Sequence, residues 1–276
     1  MGNYPVRNTV FKGTAQYYAT YRPAIPAQVI SHLGTCFDLD GSGMLLDMGC
    51  GTGQSTFALA PLFKKSFAFD VDPQMLAEAK KRCPAHLDIV WQQRSDQEVT
   101  RSEGPYKLVT ACRSFNWMDQ NSLLDKLNEI IEPNGGVALI GDGSFWTGRE
   151  VWQKKIKEVI QRFLGEKRRA GSGTYVSSEE PYVTSLKKHH YHDVDAKTIP
   201  VERQWTVESI LGYLYSTSFA ARHLFGEKIE NFEQTLKNEL LHTSAGSDNF
   251  IERTEFTVQT GFVRFDPSKN HNNHGR

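Results

Sequence analysis

The sequence predicts an α/β fold, with a doubly wound parallel sheet, helices on both faces and a helical cap. Two observations lead to this prediction. Strand-like apolar runs alternate with helix-like segments as far as about residue 142, which is the pattern of a parallel sheet whose crossovers are helices. The alternation then breaks, and longer helical segments precede one closing strand. We therefore expect one sheet whose edge is covered by the later helices.

The elements of the first half follow from the spacing of apolar residues. Segment 11–23 (FKGTAQYYATYRP) predicts a short aromatic helix that ends at Pro23. Val29 and Leu33 recur at helical spacing in a second helix over about 25–37. Strands are predicted at 44–48, 66–71, 87–93, 106–114 and 137–142. The helices between these strands are predicted at 54–63, 73–83 and 121–133.

The second half contains fewer predicted strands. Its predicted elements are a helix at 147–165, a loop at 168–181, a strand within 194–206, helices at 207–225 and about 227–241, and a strand at 253–265. The predicted organisation is N-terminal lid helices over 1–37, a ligand-binding core over 38–145, cap helices and closing strands of the same domain over 146–266, and a disordered polar tail over 267–276.

Composition limits the partners that we expect. Lys+Arg 32 balances Asp+Glu 32, so the basic excess typical of nucleic-acid-binding proteins is absent. No apolar run approaches the length of about 20 residues that spans a bilayer, and residues 1–20 lack a signal-peptide pattern. The four cysteines contain no C-x-x-C pair, which predicts reduced thiols. We expect a cytoplasmic monomer or homodimer with no nucleic-acid and no membrane partner.

Two charged segments resemble ion-binding sites. KKHHYHD (187–193) would place His190 and His192 on one face of a strand, but no third ligand is evident nearby, and catalytic zinc sites need three protein ligands. EKRRAG (166–171) is basic. We interpret both segments as solvated surface and predict no metal site.

A glycine-rich loop, GCGTG (49–53), follows the first predicted strand and precedes a helix. Glycine lets the backbone turn sharply and approach a ligand, and a strand–loop–helix unit directs free N–H groups at that ligand. A nicotinamide-binding motif has the form G-x-G-x-x-G. Gly49 and Gly51 fit that motif, but Gln54 occupies its last position. A phosphate-binding P-loop needs a lysine after the glycines, and none follows here.

Two acidic residues flank this loop. Asp47 precedes it within the strand, and Asp70 ends the second strand. In this type of fold, an acid about 20 residues after the glycines accepts hydrogen bonds from ribose hydroxyls. The pattern Asp47-x-Gly49-x-Gly51-x-Gly53, together with Asp70, therefore predicts a nucleoside site at the carboxyl ends of strands one and two. The alternative is a tight turn with a structural role alone.

Several segments resemble the class I S-adenosylmethionine-dependent methyltransferases. LLDMGCGTGQST (45–56), followed by FDVDPQML (69–76), is similar to the cofactor motifs of that family. FKGTAQYYATYRP, TACRSFNWMD (110–119) and WTVESILGYLYSTS (205–218) resemble segments of its small-molecule branch, which includes trans-aconitate methyltransferase (the methyltransferase type 11 family). The resemblance implies a seven-stranded, mostly parallel, Rossmann-like sheet with an antiparallel last strand. It also implies S-adenosyl-L-methionine as the cofactor and a small-molecule acceptor.

The resemblance also assigns roles to single positions. The loop glycines would meet the methionine part of the cofactor, with Asp47 near its amino group, and Asp70 would bind the ribose. Val71 and Met75 would pack near the adenine, and Arg113 would line the pocket. The full set of predicted cofactor-binding residues is Tyr18, Arg22, Asp47, Gly49, Gly51, Gly53, Asp70, Val71, Met75, Ser95, Asp96 and Arg113.

The sequence leaves alternatives open for two of these contacts. The adenine amine would meet Ser95, Asp96 or Gln97 after strand three, and the sequence leaves the choice open. At the N-terminus, Tyr18 and Arg22 are four residues apart and share a helical face. They would form a lid in which the guanidinium pairs with the methionine carboxylate. The alternative is an aromatic stripe that only packs this helix onto the domain.

The acceptor site is predicted from aromatic residues near strand ends. Asn116 and Trp117 are the predicted catalytic residues, and Tyr21, Trp117 and Trp146 are the predicted substrate-binding residues. Trp117 and Trp146 follow strand ends, where ligands bind in this fold. Asn116 cannot act as a base, but its amide can orient an acceptor oxygen or nitrogen. A carboxylate acceptor would need no base, because it is ionised at pH 7.

Two other functions are left open by the sequence. One is a nicotinamide-dependent oxidoreductase, against which the position of Gln54 argues. The other is a non-catalytic binding protein with a methyltransferase fold, against which the intact glycine loop argues. The leading prediction is a methyltransferase that acts on a small molecule by in-line methyl transfer.

Overall fold

A seven-stranded sheet lies at the centre of the computed structural model, which describes residues 10–175 and 180–264. The strands are β1 (Met44–Met48), β2 (Lys65–Asp70), β3 (Ile89–Gln93), β4 (Tyr106–Cys112), β5 (Ile131–Asp142), β6 (Arg169–Ala170), β7 (Gly173–Thr174), β8 (His192–Trp205) and β9 (Phe250–Phe262). β6 and β7 form a separate hairpin, and the other strands lie in the order β3-β2-β1-β4-β5-β9-β8. β1 to β5 are parallel, whereas β9 is antiparallel to both of its neighbours.

Helices cover both faces of this sheet. Within the described ranges they are α1 (Ala15–Tyr21), α2 (Ala27–Cys36), α3 (Gln54–Leu59), α4 (Pro73–Arg82), α5 (Gln120–Ile130), α6 (Val151–Leu164), α7 (Tyr182–Lys188), α8 (Val207–Tyr215) and α9 (Ile229–Thr243). Side-chain caps fix the start of α4, α5 and α8, and Asp119 is the cap of α5, where it accepts from the Ser122 N–H. Asp72 accepts a hydrogen bond from the Gln74 N–H before α4, and Thr206 accepts one from the Ser209 N–H before α8.

Apolar side chains on both faces of the strands anchor these helices. Successive side chains of a strand point to opposite faces, so Leu46 packs in one cluster with Leu127 of α5, and Leu45 packs in another with Leu33 of α2. This explains why β1 reads as a continuous apolar run with one polar interruption at Asp47. A third cluster joins α6, α8 and α9 to the ends of β8 and β9 and forms the cap.

The predicted fold class is confirmed, including the seven strands and the antiparallel last strand. The division into lid, core and cap stays a prediction. The tail predicted at 267–276 and residues 1–9 of the predicted lid lie outside the described residues. No helix of the described ranges is long and apolar enough to cross a bilayer. The four cysteines are free.

Three local predictions differ from the structure. The predicted loop at 168–181 contains the β6–β7 hairpin, and α7 was not predicted. The long helix predicted at 207–225 ends at Tyr215, because the hydroxyls of Ser216 and Thr217 donate to carbonyl oxygens one turn back, at Tyr213 and Leu214.

The interpretation of segment 187–193 as solvated surface was wrong for two of its side chains. Tyr191 is buried, and its hydroxyl donates to the Leu124 carbonyl oxygen. The His189 ring lies between Asp125 and Asn121, with its Nδ1 2.6 Å from the Asp125 carboxylate. No group of three or more potential metal ligands occurs among the residues that the structure describes.

We expect Leu46→Ala to lower the free energy of unfolding by about 2–5 kcal/mol, since it opens a cavity at a side chain with no exposed surface. Urea denaturation followed by circular dichroism measures this change. Val151→Ala is the control, because Val151 is 69% exposed and its truncation should change stability by no more than about 0.5 kcal/mol. Equal losses in both variants would contradict the packing described here.

Candidate active site

The glycine loop turns the chain from β1 into α3 through a left-handed backbone. Gly49, Gly51 and Gly53 have φ values of 62°, 55° and 87°, which side chains with a Cβ rarely adopt. A Cβ on Gly49 would lie 2.6 Å from Cβ of Ser114, and one on Gly53 would lie 2.7 Å from the Phe57 ring. The sequence therefore needs glycine here for two reasons: the turn itself and the close approach of neighbouring side chains.

Asp47 lies beneath this loop and has no exposed surface. Ser55 and Thr56 at the start of α3 donate hydrogen bonds to its Oδ2, at 2.8 and 2.6 Å, and Thr110 of β4 donates to its Oδ1 at 2.7 Å. Burial raises the pKa of Asp47, although these hydroxyls oppose the shift. The carboxylate therefore braces β1, α3 and β4.

Asp70 ends β2 beside the loop. Its Oδ2 accepts the Gly51 N–H at 2.8 Å, and its Oδ1 accepts the Asp72 N–H at 2.9 Å. Burial raises the pKa of Asp70 to about 6 in spite of these bonds. Each oxygen keeps a lone pair beyond these amide contacts. Asp70 is therefore a partly buried acceptor able to receive further hydrogen bonds from hydroxyl groups.

A cleft of about 760 Å³, here called the glycine-loop cleft, opens over these residues. Its walls are Val10, Phe11, Tyr18, Gly49, Gly51, Phe69, Asp70, Val71, Asp72, Met75, Arg94, Asp96, Cys112, Arg113, Ser114, Trp117 and Met118. Eight predicted cofactor-binding residues are among them: Tyr18, Gly49, Gly51, Asp70, Val71, Met75, Asp96 and Arg113. The cleft thus combines apolar walls with the carboxylates of Asp70, Asp72 and Asp96, which suits an adenosine with its ribose at Asp70.

Four predicted cofactor-binding residues do not line the glycine-loop cleft. Asp47 lies beneath the loop, and Gly53 is the last residue of the loop and lies against the Phe57 ring. Ser95 instead caps a short 3₁₀ turn by pairing with Glu98. Arg22 donates to the side chain and the carbonyl oxygen of Ser216, at 2.8 and 3.3 Å, which holds its guanidinium away from the loop.

A second cleft of about 1000 Å³, the aromatic cleft, lies next to the first. Its walls are Phe11, Tyr18, Arg22, Ala111, Arg113, Ser114, Phe115, Asn116, Trp117, Ile140, Gly141, Asp142, Gly143, Ser144, Thr147, Arg168, Tyr175, Tyr182, Tyr213, Thr217, Ser218 and Phe219. The two clefts share Phe11, Tyr18, Arg113, Ser114 and Trp117. The two clefts are therefore adjacent and border the same side chains.

A chain of buried charges forms one side of the aromatic cleft. Arg113 donates two hydrogen bonds to Asp142, at 2.6 and 2.8 Å, and Arg203 donates to the same carboxylate at 2.9 Å. Arg203 also pairs with Glu252 at 3.4 Å. Burial alone would raise the pKa of Asp142, but the two guanidinium groups hold it below its usual value. Asp142 therefore neutralises the charge of Arg113 and holds its side chain in place along the cleft.

The predicted acceptor residues divide between this cleft and the surface of the cap. Asn116 lines the aromatic cleft, and Trp117 lines both clefts. The Trp117 ring contacts Phe11 and Tyr175 edge-on, at centroid distances of 5.7 and 5.6 Å. These contacts join the N-terminal segment to the segment after the β6–β7 hairpin.

Tyr21 and Trp146 lie outside both clefts, so the structure does not support their prediction as substrate-binding residues. The Tyr21 hydroxyl donates to Glu208 at 3.3 Å. Trp146 packs on Phe219, at a ring centroid distance of 5.5 Å, and carries the Lys157 ammonium on its face. Tyr21 thus links α1 to α8, and Trp146 packs within the cap.

Sequence reasoning missed the far wall of the aromatic cleft. Arg168 and Tyr175 belong to segments interpreted as solvated loop, and Tyr213 and Phe219 fall in and after α8. The Arg168 guanidinium lies over Tyr175 and Phe219 at 4.1 and 5.2 Å. A basic residue near an aromatic one in the same loop was the available signal, but a single sequence does not show that the pair folds inward.

Comparisons with known proteins identify the family of the region that carries the glycine loop. A family model for a methyltransferase domain matches residues 45–135, which contain the glycine loop, Asp70 and Asn116. The chain is a class I S-adenosylmethionine-dependent methyltransferase. An uncharacterised methyltransferase-like protein of Schizosaccharomyces pombe is 24% identical to it over 213 residues, covering 76% of this chain and 77% of the relative.

Solved structures match the methyltransferase in fold. A candidate type II methyltransferase from Anaeromyxobacter dehalogenans superposes with a TM-score of 0.59 at 17% identity, covering 90% of this chain and 100% of the other. A phosphoethanolamine N-methyltransferase from Haemonchus contortus, solved with S-adenosylhomocysteine, gives a TM-score of 0.56 at 14% identity, covering 95% and 61%. S-adenosylmethionine is the cofactor of this methyltransferase, and the glycine-loop cleft offers the carboxylate and apolar walls that it needs.

We expect cofactor affinity to fall with acid through Asp70. The ribose hydroxyls are expected to donate to the ionised carboxylate, and burial raises the pKa of Asp70 to about 6. The dissociation constant of S-adenosylhomocysteine should therefore be steady at pH 7.5 and about tenfold higher at pH 5. Calorimetry at several pH values measures it.

Asp70→Asn is the matched control for this experiment. The amide keeps the size of the side chain but does not ionise, so binding should be at least about tenfold weaker at pH 7.5 and lose most of its dependence on pH. A native protein whose affinity does not change between pH 5 and 7.5 would contradict the assignment of Asp70 to the ribose.

Proposed function

We propose that this methyltransferase transfers the methyl group to a small molecule held in the aromatic cleft, through a carboxylate or another oxygen or nitrogen atom. The observation that supports this most strongly is the common wall of the two clefts, formed by Phe11, Tyr18, Arg113, Ser114 and Trp117. In-line transfer needs the two reactants to face each other without water between them. Two clefts that meet at aromatic side chains meet this need.

The residues of the clefts divide the work of the reaction. The bound cofactor supplies a methyl group activated by its sulfonium. That sulfonium would make the methyl carbon open to attack by an acceptor lone pair and would leave as a neutral thioether, so the protein's own residues need only hold, orient and shield the acceptor. Tyr18 and Trp117 exclude water at the common wall, and the Asn116 amide orients the acceptor atom.

The amide of Asn116, which lines the aromatic cleft after β4, favours an acid as the acceptor. Asn116 cannot take a proton, and an ionised carboxylate has none to lose at pH 7. A malonyl-[acyl-carrier protein] O-methyltransferase of Priestia megaterium is 29% identical over 137 residues, covering 48% of this chain and 49% of the relative. The name of that relative supports oxygen methylation of an acid. We also propose that this methyltransferase belongs to the small-molecule branch that includes trans-aconitate methyltransferase.

The proposed function is tested by ligand stabilisation and by label transfer. S-adenosylhomocysteine should raise the melting temperature, whereas NADH should leave it unchanged. Incubation with methyl-tritiated S-adenosylmethionine and a deproteinised low-molecular-mass extract should yield a labelled small molecule, and Asp70→Ala should reduce the yield at least tenfold. Stabilisation by NADH alone would instead support an oxidoreductase. Cofactor binding without any labelled product would support a non-catalytic protein.

We expect Asn116→Ala to lower kcat more than it lowers cofactor affinity. Asn116 lines the aromatic cleft and not the glycine-loop cleft. Without its amide the acceptor should be less well oriented, which should lower kcat about tenfold. The affinity for S-adenosylhomocysteine should stay within about twofold of the native value. Steady-state kinetics on the identified acceptor and calorimetry measure the two effects. The reverse pattern would place Asn116 in the cofactor site.

A further inference from the structure

Arg168 is a guanidinium on the wall of the aromatic cleft without a polar partner among the described residues. Its Nε is buried and makes no hydrogen bond. Its planar group is held by ring contacts with Tyr175 at 4.1 Å and Phe219 at 5.2 Å. Stacking fixes the plane of a guanidinium but leaves its terminal N–H groups to donate at the edge.

The other cations of the cleft differ in this respect. Arg113 is neutralised by Asp142, and Arg22 donates two hydrogen bonds to Ser216 while it lies between Tyr18 and Tyr213. Asp142 is the one carboxylate among the described residues that line the cleft, against the three guanidinium groups of Arg22, Arg113 and Arg168. The described wall therefore carries a surplus of positive charge.

The surroundings of Arg168 disfavour the charged form of its guanidinium group. Burial lowers the pKa of Arg168, and the nearby positive charge of Arg22 adds to this, while Tyr175 and Tyr213 oppose it. An anion beside Arg168 would relieve both effects. It would also accept the charge-assisted hydrogen bonds that the free edge of the guanidinium can donate.

The place of Arg168 in the cleft identifies which part of a ligand it would meet. Arg168 lines the aromatic cleft but not the glycine-loop cleft, whereas Trp117 and Tyr18 line both. The accepting atom must lie at the common wall. Arg168 is not one of the residues of that wall, so a group held by Arg168 is a second group of the ligand and is not the one that receives the methyl.

We infer that Arg168 anchors an anionic group of the acceptor, a carboxylate or a phosphate, that remains unmethylated during the reaction. This inference rests on the proposed function and adds a specificity-determining residue to it. The acceptor then carries two functional parts, one at the common wall and one at Arg168. The rings of Tyr175 and Phe219 keep the guanidinium in position and exclude water from the ion pair.

The charge of the product tests this inference. The native protein is incubated with methyl-tritiated S-adenosylmethionine and a deproteinised low-molecular-mass extract, and the labelled product is passed over an anion exchanger at pH 7. Retention of the label is expected, because the anchored anion survives the reaction. A labelled product that is not retained would overturn the inference while leaving the proposed function intact.

Substitutions test the residue itself. Arg168→Gln should reduce label incorporation at limiting extract at least tenfold, with a smaller loss at saturating extract. The control is Lys167→Gln, which removes a charge from an exposed neighbour and should keep the native rate. Arg168→Lys keeps the charge but loses the planar fork, and should recover part of the rate.

Two further readouts separate anchoring from folding. The affinity of Arg168→Gln for S-adenosylhomocysteine should stay within twofold of native, because Arg168 does not line the glycine-loop cleft. Equal rates for Arg168→Gln and Lys167→Gln would overturn the inference, as would a loss of cofactor affinity that matches the loss of rate. Absence of labelled product from the native protein would overturn the proposed function, and the inference with it.

Discussion

The buried carboxylate of Asp47 is the interaction on which the site depends. It joins β1, α3 and β4 through three hydroxyl donors, and it does so beneath a loop whose glycines are held in left-handed conformations. An unpaired carboxylate in such a place would be costly, so the three hydroxyls and the acid are needed together. The position of the loop, and with it the amide that Gly51 presents to Asp70, follows from this arrangement.

A second buried network borders the aromatic cleft next to this site. Asp142 at the end of β5 receives guanidinium groups from β4 and β8, and Glu252 of β9 extends the chain to Trp205 and Gln153. Removing one member would leave its partners charged and buried. This network makes the wall between sheet and cap rigid and electrically balanced, so the uncompensated charge of the aromatic cleft lies on the cap side.

The sequence predicted the features that local spacing encodes. Alternating apolar segments predicted the sheet and its helices, and the glycines with Asp70 predicted a site where the structure has a cleft, because strand ends of a parallel sheet meet at one edge. The role of Asp47 was wrong in detail, since its distance from the loop in sequence does not reveal that its oxygens are already taken by Ser55, Thr56 and Thr110.

The acceptor cleft was predicted less well. Tyr21 and Trp146 are aromatic residues near helix and strand ends, as Trp117 is, and only tertiary packing separates a ring that lines a cavity from one that attaches a helix. Arg168 and Tyr175 come from a segment without helical or strand periodicity, more than 50 residues after Trp117 in the chain, so no local pattern placed them in the same wall.

The indole ring of Trp117 lines both clefts, so a substitution there cannot separate the effects of the two ligands. The indole contacts Phe11 on one side and Tyr175 on the other, and its faces belong to both clefts. A substitution at Trp117 alters donor and acceptor sites at once, and its kinetic effect has no single origin. Tyr175 lines the aromatic cleft alone and Val10 the glycine-loop cleft alone, so these two positions report on one ligand each.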